Sequence, residues 1–274
     1  MKTRILSAIV GVSLTIFVLF FYETIILNIA VSIISAIMVY EVIRTIDLLN
    51  KSILIFIFSE LYAITYPFLN LNGFFDFRVK SSIIYFLLLT LILLKKHIII
   101  NVEKLVLCGC FVVAISFFMS TIVYIRDDFA PYSLYYIMFL FTIAWICDAG
   151  AYFVGRGFGK RKLSPNISPN KTIEGAIGGV ITNFIFVGIL TYVFANMVYP
   201  GVKLNWITLI FVTLVGSVFA IVGDLSASIV KRQYKIKDFG NIIPGHGGLL
   251  DRFDSWIFVS AVSYPLICAF PIIG

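Results

Sequence analysis

Between Asp224 and Asp254 the chain reads DLSASIVKRQYKIKDFGNIIPGHGGLLDRFD. Asp224, Asp238, Asp251 and Asp254 stand there among Lys231, Arg232, Lys235, Lys237 and Arg252, around a Pro244-Gly245-His246-Gly247-Gly248 loop. The whole chain is 61% hydrophobic and 13% charged, so this is a local concentration of charge. Carboxylates suit a hard cation such as Mg²⁺, which takes oxygen ligands and commonly retains waters and substrate phosphates. Lys and Arg neutralise oxyanions during phosphoryl-type transfer, and glycines let a ligand approach the backbone. In a helix, Asp224, Ser228 and Lys231 fall at i, i+4 and i+7 and share one face; Asp251 and Asp254 share another. A salt-bridge network at a helix end would account for the charges but not for the glycine loop. The pattern therefore points to a metal–phosphate site.

Two upstream stretches add to it. In WICDAGAYFVGRGFGKRK (145–162) Asp148 sits inside an apolar segment, where an ionised carboxylate costs about 2.5–3.5 kcal/mol, with Tyr152 on the same helical face. Gly155, Gly157 and Gly159 alternate with Arg156, Lys160 and Arg161, a pattern that lets backbone and cations close on a phosphate. A flexible basic loop with Asp148 paired to Arg156 is the competing account. In SPNISPNKTIEGAIGG (164–179) Ser168-Pro169 reads as a turn and Thr172 as a helix cap with Glu174 in the first turn. Lys171 then lies at a helix N-terminus, as an anion ligand or as a plain topological charge. Gly175, Gly178 and Gly179 fall on one face, where close helix packing is the main role.

These residues must be positioned by membrane helices. A mean hydropathy of +1.04 with 16% aromatics lies outside the range of water-soluble domains. A span takes roughly 20 apolar residues, and nine candidates follow: 5–21, 25–43, 53–70, 81–94, 105–125, 132–154, 173–198, 206–230 and 254–272. Their runs have no period of two, so the expected class is an all-α polytopic membrane protein rather than a barrel. The first candidate, after Lys2 and Arg4, is read as a retained helix, its apolar core being too long for a signal peptide. With the N-terminus cytoplasmic and the C-terminus outside, only Arg78, Lys80, Arg126 and Lys203 of the 21 Lys and Arg fall on the outer side. That asymmetry obeys the positive-inside rule and explains the net charge of +7 without nucleic-acid binding. Cys108, Cys110, Cys147 and Cys268 have no zinc-type spacing and read as buried thiols. Residues 1–131 read as a hydrophobic scaffold without a polar cluster, and 132–274 as the region carrying the chemistry, within one integrated membrane domain.

The stretch from Ser228 to Asp254 resembles the signature of the phosphatidate cytidylyltransferase (CDP-diacylglycerol synthase) family. The matching positions are Ser228, Lys231-Arg232, Lys237-Asp238, Gly240, Pro244, His246-Gly-Gly248, Asp251-Arg252 and Asp254. DAGAYFVGRGFGK and SPNKTIEG resemble further motifs of that family, from which Asn170 and Ile173 depart. The resemblance implies transfer of a cytidylyl group from CTP to phosphatidate, giving CDP-diacylglycerol and pyrophosphate. The distribution of Lys and Arg puts this site on the cytoplasmic side, and a compact chain of nine expected helices suggests a bacterial inner membrane. The resemblance also implies Mg²⁺, with room for a second cation, held by Asp224 and Asp251 and by Asp148 as a third acidic group. Asp224, Asp251, Lys231 and His246 are then the expected catalytic residues. Lys171, Ser228, Arg232, Lys237, Arg252 and Arg156 are the expected substrate-binding ones. CTP and membrane phosphatidate are the expected partners, nucleic acid is not, and a homodimer is compatible with the pattern. A CTP-dependent lipid kinase and a transporter of a phosphorylated solute are the rival classes; a transporter predicts matched halves, which this chain lacks.

Overall fold

The computed structural model describes residues 2–69, 75–245 and 247–273. The chain divides into two compact units, Met1–Tyr124 with Tyr234–Arg252, and Ile125–Gln233 with Phe253–Gly274.

The first unit contains α1 (Lys2–Phe20), α2 (Ile25–Thr45), α3 (Ile53–Thr65), α4 (Phe75–Lys96) and α5 (Val102–Asp128, of which the last residues belong to the second unit). Apolar runs drive these helices, and local chemistry sets their ends. Thr24 caps α2 by accepting from the Ile26 N–H at 3.3 Å. Pro67, which cannot continue an α-helix, lies in the 3₁₀ turn Tyr66–Phe68 that closes α3. Away from water a polar side chain is costly to bury unless it finds a protein partner. Asn28 accordingly donates to the Pro67 carbonyl at 2.8 Å, Ser32 to the Ile64 carbonyl at 2.8 Å, and Ser59 pairs with the Tyr85 hydroxyl at 2.8 Å. Helix α4 begins earlier than the 81–94 expected. Its first turns carry Arg78, whose guanidinium lies 3.9 Å over the Tyr124 ring, so an aromatic face lets a cation join a helix end that hydropathy alone excludes.

The second unit contains α6 (Ser133–Phe141) and α7 (Cys147–Phe158), joined by a π turn over Thr142–Ile146 into one continuous helix. A two-stranded antiparallel hairpin follows, β1 (Lys162–Ser164) and β2 (Ser168–Thr172), then α8 (Ile173–Val193), α9 (Trp206–Gln233) and α10 (Leu250–Ala269, whose first three residues belong to the first unit). A π turn disturbs the regular hydrogen-bond ladder; here the Ile143 carbonyl accepts from the fully buried Asn183 at 3.0 Å, which also donates to Ser217 at 2.9 Å.

Six of the described helices are long and apolar enough to cross a membrane, and Ile9–Phe20 and Ile53–Phe68 are shorter apolar ones. Large apolar side chains stand exposed along them, among them Ile83, Leu87, Leu91 and Leu94 on α4 and Ile177, Ile181, Ile185 and Ile189 on α8. Lipid is the environment in which such faces are tolerated. The chain is an all-α membrane protein.

Helices α7 and α8 pack through glycines. A Cβ at Gly179 would lie 2.6 Å from the Cys147 carbonyl oxygen, and one at Gly175 2.7 Å from that of Ala151. Backbone meets backbone here, and neither side can give way. Gly179→Val should cost about 1–3 kcal/mol by overpacking. The expected result is a Tm in detergent lower by several degrees, read by the thermal unfolding of the purified protein.

Candidate active site

Helix α7 runs to Phe158 and is capped at Gly159, so Gly155 and Gly157 lie within it and form no phosphate-cradling loop. Gly155 instead allows close packing, a Cβ there meeting Thr172 Oγ1 at 3.0 Å and Gly175 Cα at 3.4 Å. Ser168-Pro169 belongs to β2 and does not form a turn; the turn is Pro165-Asn166-Ile167. Pro169 is tolerated because a two-stranded sheet leaves each strand one unpaired edge. Thr172 is the N-cap of α8, its Oγ1 accepting from the Gly175 N–H at 3.1 Å. Glu174 pins the start of the hairpin by accepting from the Lys160 and Arg161 N–H groups at 3.0 and 3.1 Å, and from Arg161 Nε at 3.1 Å.

These elements enclose a cavity of about 500 Å³ within the second unit, lined among others by Asp148, Tyr152, Arg156, Asn170, Lys171 and Asp224. Asp148 comes from the first turn of α7, just after the π turn. Lys171 comes from β2 and Asp224 from α9, and the two form an ion pair at 2.5 Å. Both side chains keep about a quarter of their surface, 25% and 28%, exposed, so the pair is accessible to a ligand. Asp148 accepts from the Ser255 hydroxyl at 2.7 Å, and Arg156 donates to the Tyr152 hydroxyl at 3.3 Å.

Helix α9 runs unbroken past Asp224, and Ser228 and Lys231 on the same face are both buried. Asp254 is buried too and lies within electrostatic range of Asp224, Lys231 and Asp148. Its carboxylate accepts from the Ser255 N–H at 2.8 Å. Three acids and two lysines thus form one charge cluster in the second unit. The sequence pattern placed Asp254 in the charged run and on one face with Asp251 but did not bring it to Asp148, because the helix that does so starts more than a hundred residues after Asp148. Arg232 is exposed and donates to the carbonyl of Ile167, in the hairpin turn, at 3.3 Å.

The remaining expected residues belong to the first unit. Asp251 opens α10, and its Oδ2 accepts from the N–H groups of Phe239 and Gly248 at 2.8 and 3.0 Å. Lys237 and Arg252 are exposed. The loop closes through the Ile243 N–H donating to the Gly247 carbonyl at 3.0 Å, with Gly245 and Gly247 at φ +78° and +85°, values that favour glycine. His246 lies outside the described residues.

A hard cation fits the donor chemistry of the cavity. Among the described residues no three or more His, Cys, Asp or Glu side chains are grouped to hold an ion by themselves. Mg²⁺, however, usually binds through one or two carboxylates together with waters and substrate phosphates, and Asp148 and Asp224 are the residues of the cavity that could hold it.

The model of the cytidylyltransferase family matches residues 2–270. The chain is 48% identical over 139 residues to the phosphatidate cytidylyltransferase of Bacillus subtilis (strain 168), covering 51% of this chain and 49% of that one. It is 48% identical over 126 residues to the protein of that name in Staphylococcus haemolyticus (strain JCSC1435), 46% of each chain, and 50% identical over 127 residues to that in Staphylococcus aureus (strain COL), again 46% of each. The matched region spans about half the length of these curated relatives.

Proposed function

Since the chain belongs to the cytidylyltransferase family, we propose that it transfers a cytidylyl group from CTP to phosphatidate and releases pyrophosphate. The observation that carries this reading is the meeting of Asp148, Asp224, Lys171 and Arg156 in one cavity. It combines oxygen donors for a hard cation with fixed positive charge for phosphates, in a chain 48–50% identical over half its length to proteins of that name.

The chemistry asks little of a general base. A phosphatidate oxygen, already ionised near neutral pH, forms a bond to the α-phosphorus of CTP. The bond from that phosphorus to the bridging oxygen of the β-phosphate breaks, and pyrophosphate leaves with the electron pair. The obstacle is the approach of two anions, and fixed charge and positioning lower it. Lys171 and Arg156 offset phosphate charge at the cavity, and Lys231, with Ser228 on the same face of α9, extends that positive charge into the buried cluster. Arg232 braces the hairpin turn that carries Lys171's strand. Asp224 and Asp148 would hold a divalent cation such as Mg²⁺, which would supply further positive charge to offset the two anions. In the first unit, Asp251 is the acidic residue we assign to the reaction, with Lys237, Arg252 and His246 as phosphate ligands.

The proposed topology has nine spans, with the N-terminus cytoplasmic, the C-terminus outside and the site at the cytoplasmic face of a bacterial inner membrane. The distribution of Lys and Arg supports it. Acyl chains then stay in lipid while CTP arrives from water.

Purified protein given CTP, phosphatidate and Mg²⁺ should yield CDP-diacylglycerol and pyrophosphate in equal amounts, followed by chromatography of the lipid and a coupled pyrophosphate assay. CDP in place of pyrophosphate would identify a lipid kinase, and neither product would overturn the reading.

A further inference from the structure

Glu41, in the middle of the chain's hydrophobic first half, is 1% exposed. A buried carboxylate is costly unless it is fully engaged, and this one is. Its Oε1 accepts from the Leu249 N–H at 2.9 Å and its Oε2 from the Leu250 N–H at 2.8 Å. Those donors open α10, where N–H groups have no partner within the helix and the dipole favours an anion. Two glycines crowd the same carboxylate. A Cβ at Gly248 would lie 2.6 Å from Oε1, and one at Gly240 would overlap Oε1 as well. The loop therefore lacks side chains at the two points where Glu41 must approach.

A second carboxylate holds the same loop from within, Asp251 bridging the Phe239 and Gly248 N–H groups. Glu41 and Asp251 thus bind adjacent donors, Gly248, Leu249 and Leu250, in one short run of backbone. The position of Asp251 depends on a loop that Glu41 fixes from α2. We infer that Glu41 is a positioning residue for the reaction, setting the placement of the Phe239–Asp251 segment through the Leu249 and Leu250 N–H groups. The inference rests on the proposed role of Asp251 and its loop in cytidylyl transfer.

The test uses the full chain purified in detergent, as wild type and as E41Q. The amide of Gln offers one acceptor oxygen in place of two, so one backbone donor loses its partner at nearly unchanged volume. The expected result is a fall in kcat of about 10–100-fold, the scale of a small misplacement, with hydrogen–deuterium exchange accelerated in residues 239–251 and unchanged elsewhere. Where E41Q does not fold, E41D is judged by the same two criteria, its shorter side chain being unable to reach both donors. A loss smaller than tenfold, or a loss without faster exchange in that segment, overturns the inference. Failure of both variants to fold also overturns it, since Glu41 is then an anchor of the fold. Absence of CDP-diacylglycerol formation by the wild type would instead count against the reaction itself, and the exchange result is read independently of it.

Discussion

Asp224→Asn should lower kcat/KM for the proposed cytidylyl transfer by about 10²–10³-fold, the cost of removing one well-placed electrostatic group from a site. The substitution removes a charge and preserves shape. It leaves Lys171, now 2.5 Å from Asp224, facing an uncharged amide. Two causes of the loss can be separated. If Asp224 only neutralises Lys171, the double variant Asp224→Asn/Lys171→Met restores most of the activity, because the pair is removed as a unit. If each residue contacts phosphate or cation, the double variant is at least as slow as the worse single one. Steady-state assays on the three purified variants, with CTP and phosphatidate varied separately, decide between them, and near-normal Mg²⁺-dependent activity in Asp224→Asn removes the residue from the site.

Asp251→Asn carries an expectation of similar size, and its geometry makes the outcome informative. One oxygen of Asp251 accepts both loop N–H groups. The carbonyl oxygen of Asn can accept the same two bonds, so the loop keeps its closure. A residue that merely ties the loop would lose only a few-fold on this change, since a hydrogen bond to a charged group exceeds a neutral one by about 1 kcal/mol. A residue whose negative charge serves the reaction loses about 10²–10³-fold at a Tm within a few degrees of wild type. Thermal unfolding measured beside kcat/KM separates the two, and an active Asp251→Asn enzyme sinks the catalytic assignment.

Local features of both regions were legible from the chain. Thr172 was readable as a cap because capping needs only an oxygen three residues before a donor. Gly175, Gly178 and Gly179 were readable as a packing face because helical periodicity alone aligns them. Asp224, Ser228 and Lys231 share a face for the same reason. The hidden parts are those settled by distant partners. Glu41 sits 208 residues before Leu249, and nothing around it in the sequence marks it as different from a polar residue at a helix end. Asp254 joins Asp148 through the packing of α7 and α10 against α9, with no local signal. The β1–β2 hairpin escaped notice because Pro169 argues against a strand and because the Glu174 side chain that closes it belongs to the next helix. The helical length of α7 was missed for a related reason. Gly155 and Gly157 weaken an isolated helix, whereas here close packing against Thr172 and Gly175 favours a residue without a side chain at Gly155.

The glycine contact between α7 and α8 also bears on how the protein meets bilayers of different thickness. Helices that touch through interdigitated side chains can slide or re-seat by small rotamer changes when the hydrocarbon layer thins or swells. Here the Cys147 and Ala151 carbonyls approach the backbone of Gly179 and Gly175, and at those two points backbone rather than a flexible side chain meets a displacement. The two helices should therefore respond to hydrophobic mismatch by tilting together. Asp148 on one and the hairpin leading into the other are then expected to keep their registry as the thickness of the surrounding lipid changes.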